Sequence, residues 1–189
     1  MRNCFIAVQL TVIIGIALLG HATAETKTVD IKATGKYYNS VYKSWDTKNI
    51  RVYVDDEANL YINGGSTFVG GTGFITEDKY KALLAALRKS LEWAKKAKEA
   101  KLETTKEIAS FITPYRSYKQ GFSLEFFSTN SGKQTRVILE IKDFENMIRS
   151  IKLYLEPDQV AQLITVLKKA PATLKALKES RKKADKILK

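Results

Sequence analysis

The chain has 189 residues, with 32 Lys and Arg against 20 Asp and Glu, 44% hydrophobic residues, one Cys and one His. That balance suits one globular domain and excludes both a disordered tail protein and a multi-span membrane protein. Cys4 and His21 both fall in an N-terminal stretch with the character of a removable export signal. A mature chain without them has no Cys nucleophile, His base, Ser-His-Asp triad, His- or Cys-ligated zinc or haem, or intrachain disulfide, so neither a cofactor nor a metal is expected.

The signal begins with Arg2, continues through an apolar run from Phe5 to Leu19, and ends at Ala22-Thr23-Ala24, the small-x-small pattern of a cleavage site. Cleavage is placed after Ala24. Gln9 and Thr11 weaken the competing reading of an uncleaved anchor, and His21 stands where a lipid-modified Cys would have to be. Residues 25–189 then form a single exported domain, large enough to bury a core without staples. A Cys-free exported domain is ordinary in bacteria, which points to the periplasm or the cell exterior.

From Val29 to Ile75 the sequence reads as short strands separated by turns. Ile50, Val52 and Val54 alternate with Arg51, Tyr53 and Asp55, the period of a half-buried strand. Asp55-Asp56-Glu57-Ala58-Asn59 turns the chain, Leu60-Tyr61-Ile62 continues it, and Asn63-Gly64-Gly65 is a hairpin signal. A further strand from Ser66 to Val69 or Phe74 precedes a helix capped by Thr76, with Glu77 and Asp78 in its first turn. Tyr80, Leu83, Leu84, Leu87, Leu91 and Ala94 share one face of that helix, which is expected to run to about Ala100. Strands are then expected at Ile108–Ile112, Phe122–Phe127, Gln134–Lys142 and Ile148–Leu155, with a turn at Asn130-Ser131-Gly132-Lys133. Pro157 opens a helix carrying Val160, Leu163, Ile164 and Leu167, Pro171 stops or kinks it, and a last helix starts near Thr173.

Laid over each other at an offset of 80, the residues from Ile75 to Lys101 and their later counterparts are identical at 7 of 27 positions. The expected fold is therefore α+β, with two tandem halves (29–103 and 106–189), each an antiparallel sheet of about four strands followed by an amphipathic helix, plus an extra C-terminal helix. Two patterned helices alike by composition are the competing reading. Four strands and a helix, with Ile151-Lys152-Leu153-Tyr154-Leu155 running into Glu156-Pro157-Asp158-Gln159, resemble the repeat of the Whirly and Pur-alpha group of single-stranded-nucleic-acid-binding proteins. The resemblance covers residues 106–170 better than 29–95 and implies a curved antiparallel sheet backed by helices. Export argues against carrying over the nucleic-acid function, and a fold alone does not decide one.

The charge excess lies in two segments: 7 basic and 3 acidic residues from Arg88 to Lys106, and 9 basic and 2 acidic from Lys168 to Lys189. Lys95, Lys96, Lys98, Lys175, Lys178, Arg181, Lys182 and Lys183 are thus the candidate polyanion contacts, against the plainer reading of a solvated helix face. Tyr37, Tyr38, Tyr42, Lys43 and Trp45, with Tyr115, Arg116 and Tyr118 in the second half, interleave rings with cations as ligand-stacking surfaces do. The competing reading buries those rings at a sheet edge. Trp93 reads as packing. The glycines from Gly64 to Gly73 match neither a P-loop nor a dinucleotide fingerprint and read as hairpin turns and a bulged edge. Asp55, Glu57 and Asn59 start like a calcium loop, but Leu60 stands at the required Gly. Glu125 and Glu140 are candidate carboxylates for facing one another on neighbouring strands.

The functional expectation is an exported, non-catalytic binding or structural module of the bacterial envelope. Its partner is a protein or an anionic envelope component. A single-stranded nucleic-acid or polyanion binder of the Whirly/Pur type is the runner-up, and a carboxylate-dependent hydrolase the third reading. The basic helix from Thr173 to Lys189 adds the option of peripheral contact with an anionic membrane.

Overall fold

A computed structural model of the chain describes residues 26–55, 59–65, 70–115, 118–143 and 150–187. The expected export signal, residues 1–24, lies outside them. The elements are β1 (Thr26–Asn39), β2 (Ser44–Asp55), β3 (Leu60–Gly65), β4 (Gly70–Ile75), α1 (Glu77–Glu99), β5 (Thr104–Tyr115), β6 (Tyr118–Thr129), β7 (Gln134–Asp143), β8 (Ile151–Leu155), α2 (Pro157–Leu167) and α3 (Ala170–Ile187).

The expectation of two tandem halves, each with its own sheet and helix, is corrected by the strand order. All eight strands form one sheet, β4-β3-β2-β1-β8-β7-β6-β5, and every pairing in it is antiparallel. The join is narrow: β1 meets β8 at Lys36 opposite Tyr154. The helices cross that join. α1, which follows β4, packs on β5, β6 and β7, while α2, which follows β8, packs mainly on β1. Each helix thereby covers strands from the other end of the chain. The two strand sets close a common core, and α3 completes it against β1 and β2.

The sheet curls far enough for β4 to lie against β6 and β7. Glycine makes that approach feasible. A Cβ on Gly73 would stand 2.7 Å from Cδ1 of Phe122, and one on Gly64 would stand 2.5 Å from Cδ1 of Leu153. The glycine run is thus the place where one wall of the half-barrel fits onto the other. Strand alternation supplies the filling: Ile50, Val52 and Val54 on β2, Phe122 and Leu124 on β6, Leu139 and Ile141 on β7, and Ile151, Leu153 and Leu155 on β8 are all buried. Leu83 and Leu87 of α1 and Val160, Leu163 and Leu167 of α2 join the same cluster.

Several local expectations also change. β1 (Thr26–Asn39) is one 14-residue strand with two register shifts, where short strands were anticipated. Thr76 stands at the N-cap of α1, yet its side chain makes no capping hydrogen bond. The Glu156 N-cap of α2, by contrast, forms a reciprocal capping box with Gln159. The last helix starts at Ala170, with Pro171 in its first turn, three residues before the expected point. The strand segment 66–69 and the turn residues 56–58 lie outside the described residues.

Candidate functional site

On the outward face of the sheet, at the β1–β8 join, three rings come together. Trp45 of β2 lies opposite Tyr38 of β1 in the register, with centroids 5.2 Å apart, and meets Tyr154 of β8 edge-on at 5.0 Å. Trp45 is 49% exposed and Tyr38 41% exposed, so these rings present area to solvent. The Arg136 guanidinium of β7 sits over the Trp45 ring, 5.6 Å from its centroid. Beneath this group the Glu156 carboxylate accepts a 2.7 Å hydrogen bond from Lys36 Nζ and lies 4.0 Å from Arg136.

Arg136 also lines a neighbouring cleft of about 710 Å³ between the C-terminal half of α1, the β6–β7 turn and the start of α2. Lys95 and Lys98 form one wall, Lys133 and Arg136 the other, with Glu156 and Asp158 at the α2 end. Among the described residues, Lys95, Lys98 and Lys133 have no carboxylate partner. The site therefore joins exposed rings to unneutralised cations through one arginine. It is suited to a ligand that carries flat apolar faces and repeated negative charge.

Backbone geometry fixes the cleft. The helix α1 ends in a Schellman arrangement: Lys101 takes a left-handed φ of 51°, and Leu102 N–H donates to the Ala97 carbonyl at 2.9 Å. Ser128 Oγ then donates to the Leu102 carbonyl at 2.8 Å, and Glu103 Oε1 accepts from Ser131 N–H at 2.7 Å. These links hold the β6–β7 turn on the helix end. Asn130 and Ser131 have φ of 53° and 52°, and Gly132, at φ 76°, packs directly on the α1 backbone at Ala97 and Lys98. Lys133 is delivered beside Lys98 as a result.

The other candidates are distributed around the molecule. Tyr37 faces inward, packed against the core, with Lys48 Nζ 5.9 Å from its ring centroid. It is a packing residue, where the sequence placed it beside Tyr38 as a ligand contact; in a strand, neighbouring side chains leave opposite faces. Tyr42 and Lys43 sit in the β1–β2 turn, where Asn39 Oδ1 accepts from the Val41 and Tyr42 N–H groups, and Tyr42 is 79% exposed. Tyr115 and Tyr118 lie opposite each other at the end of the β5–β6 pair, with β8 and β7 between them and the β1–β2 hairpin. Arg116 lies outside the described residues.

The two basic helices do not build one surface. Lys178 of α3 pairs with Glu77 at the N-terminal end of α1 at 3.2 Å. Lys95 and Lys98 stand 18 and 21 residues further along α1, roughly 27–32 Å away at helical rise. Lys175, Arg181, Lys182 and Lys183 are exposed on α3 and belong to that distant end; Lys96 points to the other flank of α1. Glu125 lies opposite Ile138 and Glu140 opposite Ser123, so these carboxylates are diagonal neighbours on one face of the sheet and not a directly opposed pair, and Glu140 pairs with Lys152 at 3.6 Å. Both Asp55 oxygens are engaged, accepting from Asn59 and from Tyr61 Oη. No described helix is long and apolar enough to cross a membrane.

Arg136, Lys133, Tyr154 and Glu156 were not singled out as site residues from the sequence. The usable signal was alternation: with Ile151, Leu153 and Leu155 inward, Tyr154 had to face out, and the same holds for Arg136 before Val137.

No family model matches the chain, and no curated protein matches it. Among solved structures, the chain is similar to one described as "Mutations in SsgB correlate to longitudinal cell division during sporulation of Streptomyces coelicolor". The two are 11% identical with a TM-score of 0.35, covering 82% of this chain and 94% of that one. A likeness at that level carries no functional argument.

Proposed function

We propose that this chain is an exported, non-catalytic binding module that holds an anionic polymer across the β1–β8 join and the adjoining basic cleft. One observation carries the reading: Arg136 lies over the exposed Trp45 ring and also lines the cleft with Lys95, Lys98 and Lys133. Rings offer sequence-tolerant stacking, and the cations offer charge neutralisation to successive anionic groups. The export signal read in residues 1–24 directs the choice of polymer towards an acidic envelope polysaccharide.

The test is a binding titration of the wild type and of a Lys95→Gln, Lys98→Gln, Lys133→Gln variant against an acidic polysaccharide across a range of salt. Binding that falls steeply with salt, and a shallower dependence in the variant, supports the reading. Salt-independent binding, or equal slopes, overturns it. A single-stranded oligonucleotide run in parallel decides polymer class, since tighter binding to the oligonucleotide would replace the polysaccharide by nucleic acid.

A further inference from the structure

On the opposite flank of α1 lies a second recess of about 340 Å³, lined by Trp93, Ala97, Ala100, Leu102 and Phe126, with Lys96 and Lys106 among its walls. The helix presents Trp93, Lys96, Ala97 and Ala100 here and Leu91, Ala94, Lys95 and Lys98 to the first cleft. Three- and four-residue spacing puts the two groups about half a turn apart. The short side chains of Ala97 and Ala100 leave the hollow, and Trp93 meets Phe126 edge-on at 5.8 Å to form an aromatic corner of it. Leu102, 52% exposed, stands at the rim.

The charged residues that line this hollow are both lysines, Lys96 and Lys106. Lys89 Nζ lies 4.9 Å and Lys106 Nζ 5.2 Å from the Trp93 centroid. Lys89, Lys96 and Lys106 form no ion pair among the described residues. Two of these ammonium groups share one indole and repel each other, and neither forms an ion pair among the described residues that would offset that repulsion. An apolar, aromatic-lined hollow of this size with a few charged groups at its edge has the character of a small-ligand site.

We infer that this recess binds a small aryl anion, its ring against Trp93 and Phe126 and its carboxylate or sulfonate paired with Lys96 and Lys106. The site is separate from the polymer surface and does not depend on it. An aryl body fits better than a bare inorganic anion because the lining other than the lysines and Thr104 is apolar and a bare ion would leave it unfilled.

The experiment uses the full chain with Trp45→Phe, which leaves Trp93 as its sole tryptophan, and 8-anilinonaphthalene-1-sulfonate as probe, with calorimetry on the wild type alongside. Saturable one-to-one binding with energy transfer from Trp93 is expected. Replacing Lys96 and Lys106 by Gln should weaken it by about tenfold or more, the size of one charge-assisted hydrogen bond. Uncharged N-phenyl-1-naphthylamine should bind the wild type and that double variant alike. Ala100→Phe, at an exposed helix end, should fill the hollow and abolish binding while the melting temperature holds. Unchanged sulfonate affinity in the lysine double variant overturns the inference, as does unchanged affinity in Ala100→Phe. Displacement of the probe by excess acidic polysaccharide overturns the separation of the two sites.

Discussion

Lys36 of β1, whose register partner on β8 is Tyr154, donates from Nζ to Oε1 of Glu156, the N-cap of α2, at 2.7 Å. The pair sits under the aromatic group, and its two side chains are 39% and 38% exposed, so its own contribution to stability is at most about 1 kcal/mol. Its effect on the site is larger: one carboxylate occupies Lys36 and approaches Arg136, the cation that lies over Trp45.

Glu156→Gln should therefore tighten polyanion binding. Removing the internal negative charge frees Lys36 and Arg136 for ligand. The amide oxygen can still accept the α2 capping hydrogen bond, so the fold should lose no more than about 1 kcal/mol. The expected result is higher affinity with a log–log salt slope steeper by about 1, read by titration at several salt concentrations.

Trp45→Ala and Lys133→Gln should weaken binding in different ways. Loss of the exposed ring removes stacking, worth about 1–3 kcal/mol per aromatic contact, and leaves the salt slope as it was. Loss of the lysine lowers the slope by about 0.7–0.9. Measuring both variants against the same polymer separates the ring from the charge.

Gly132→Ala should cost about 3 kcal/mol and weaken the basic cleft. At φ 76° an alanine is strained, and its Cβ would collide with the Ala97 carbonyl and stand 2.9 Å from Cα of Lys98. The β6–β7 turn would have to lift from α1, carrying Lys133 away from Lys98. Urea unfolding gives the stability loss, and the polymer titration gives the affinity loss.

Tyr80 ties α1 to α2 through a 2.6 Å hydrogen bond from its hydroxyl to the Leu167 carbonyl. Burial raises its ionisation above the ordinary 10, with the Arg88 charge opposing. A raised value means that the folded state favours the neutral phenol. Its stabilisation is complete below pH 10 and disappears as pH rises through the folded value. Tyr80→Phe should lose about 1 kcal/mol near neutrality, and the gap between the two proteins should close in strongly alkaline solution. Denaturant curves at neutral pH and above pH 10 check both parts.

Local pattern made some features readable in advance. The period of two at Ile50, Val52 and Val54, the three- and four-residue spacing of Leu83, Leu84 and Leu87, and the initiating role of Pro157 all describe what neighbouring residues impose on their own backbone. The site was less legible. Tyr37 and Tyr38 are alike in sequence, yet one packs inward and the other lines the outer join, and their assignment depends on which face of β1 meets the core. Lys95 and Lys98 drew attention as part of a charge run, but the run alone did not separate them from Lys96 on the other flank.

The residues by themselves determined the alternation of strand faces, the amphipathic stripes of the helices and the concentration of lysine in two segments, because these follow from backbone periods of two and 3.6. Only the tertiary structure decided that eight strands share one sheet, that α1 covers β5–β7 and α2 covers β1, and that Arg136 links Trp45 to the basic cleft. Those arrangements depend on contacts between residues far apart in the chain. The β1–β8 pairing and the close approaches at Gly64 and Gly73 are among them, and a glycine's missing side chain has meaning only when the opposing wall is in place.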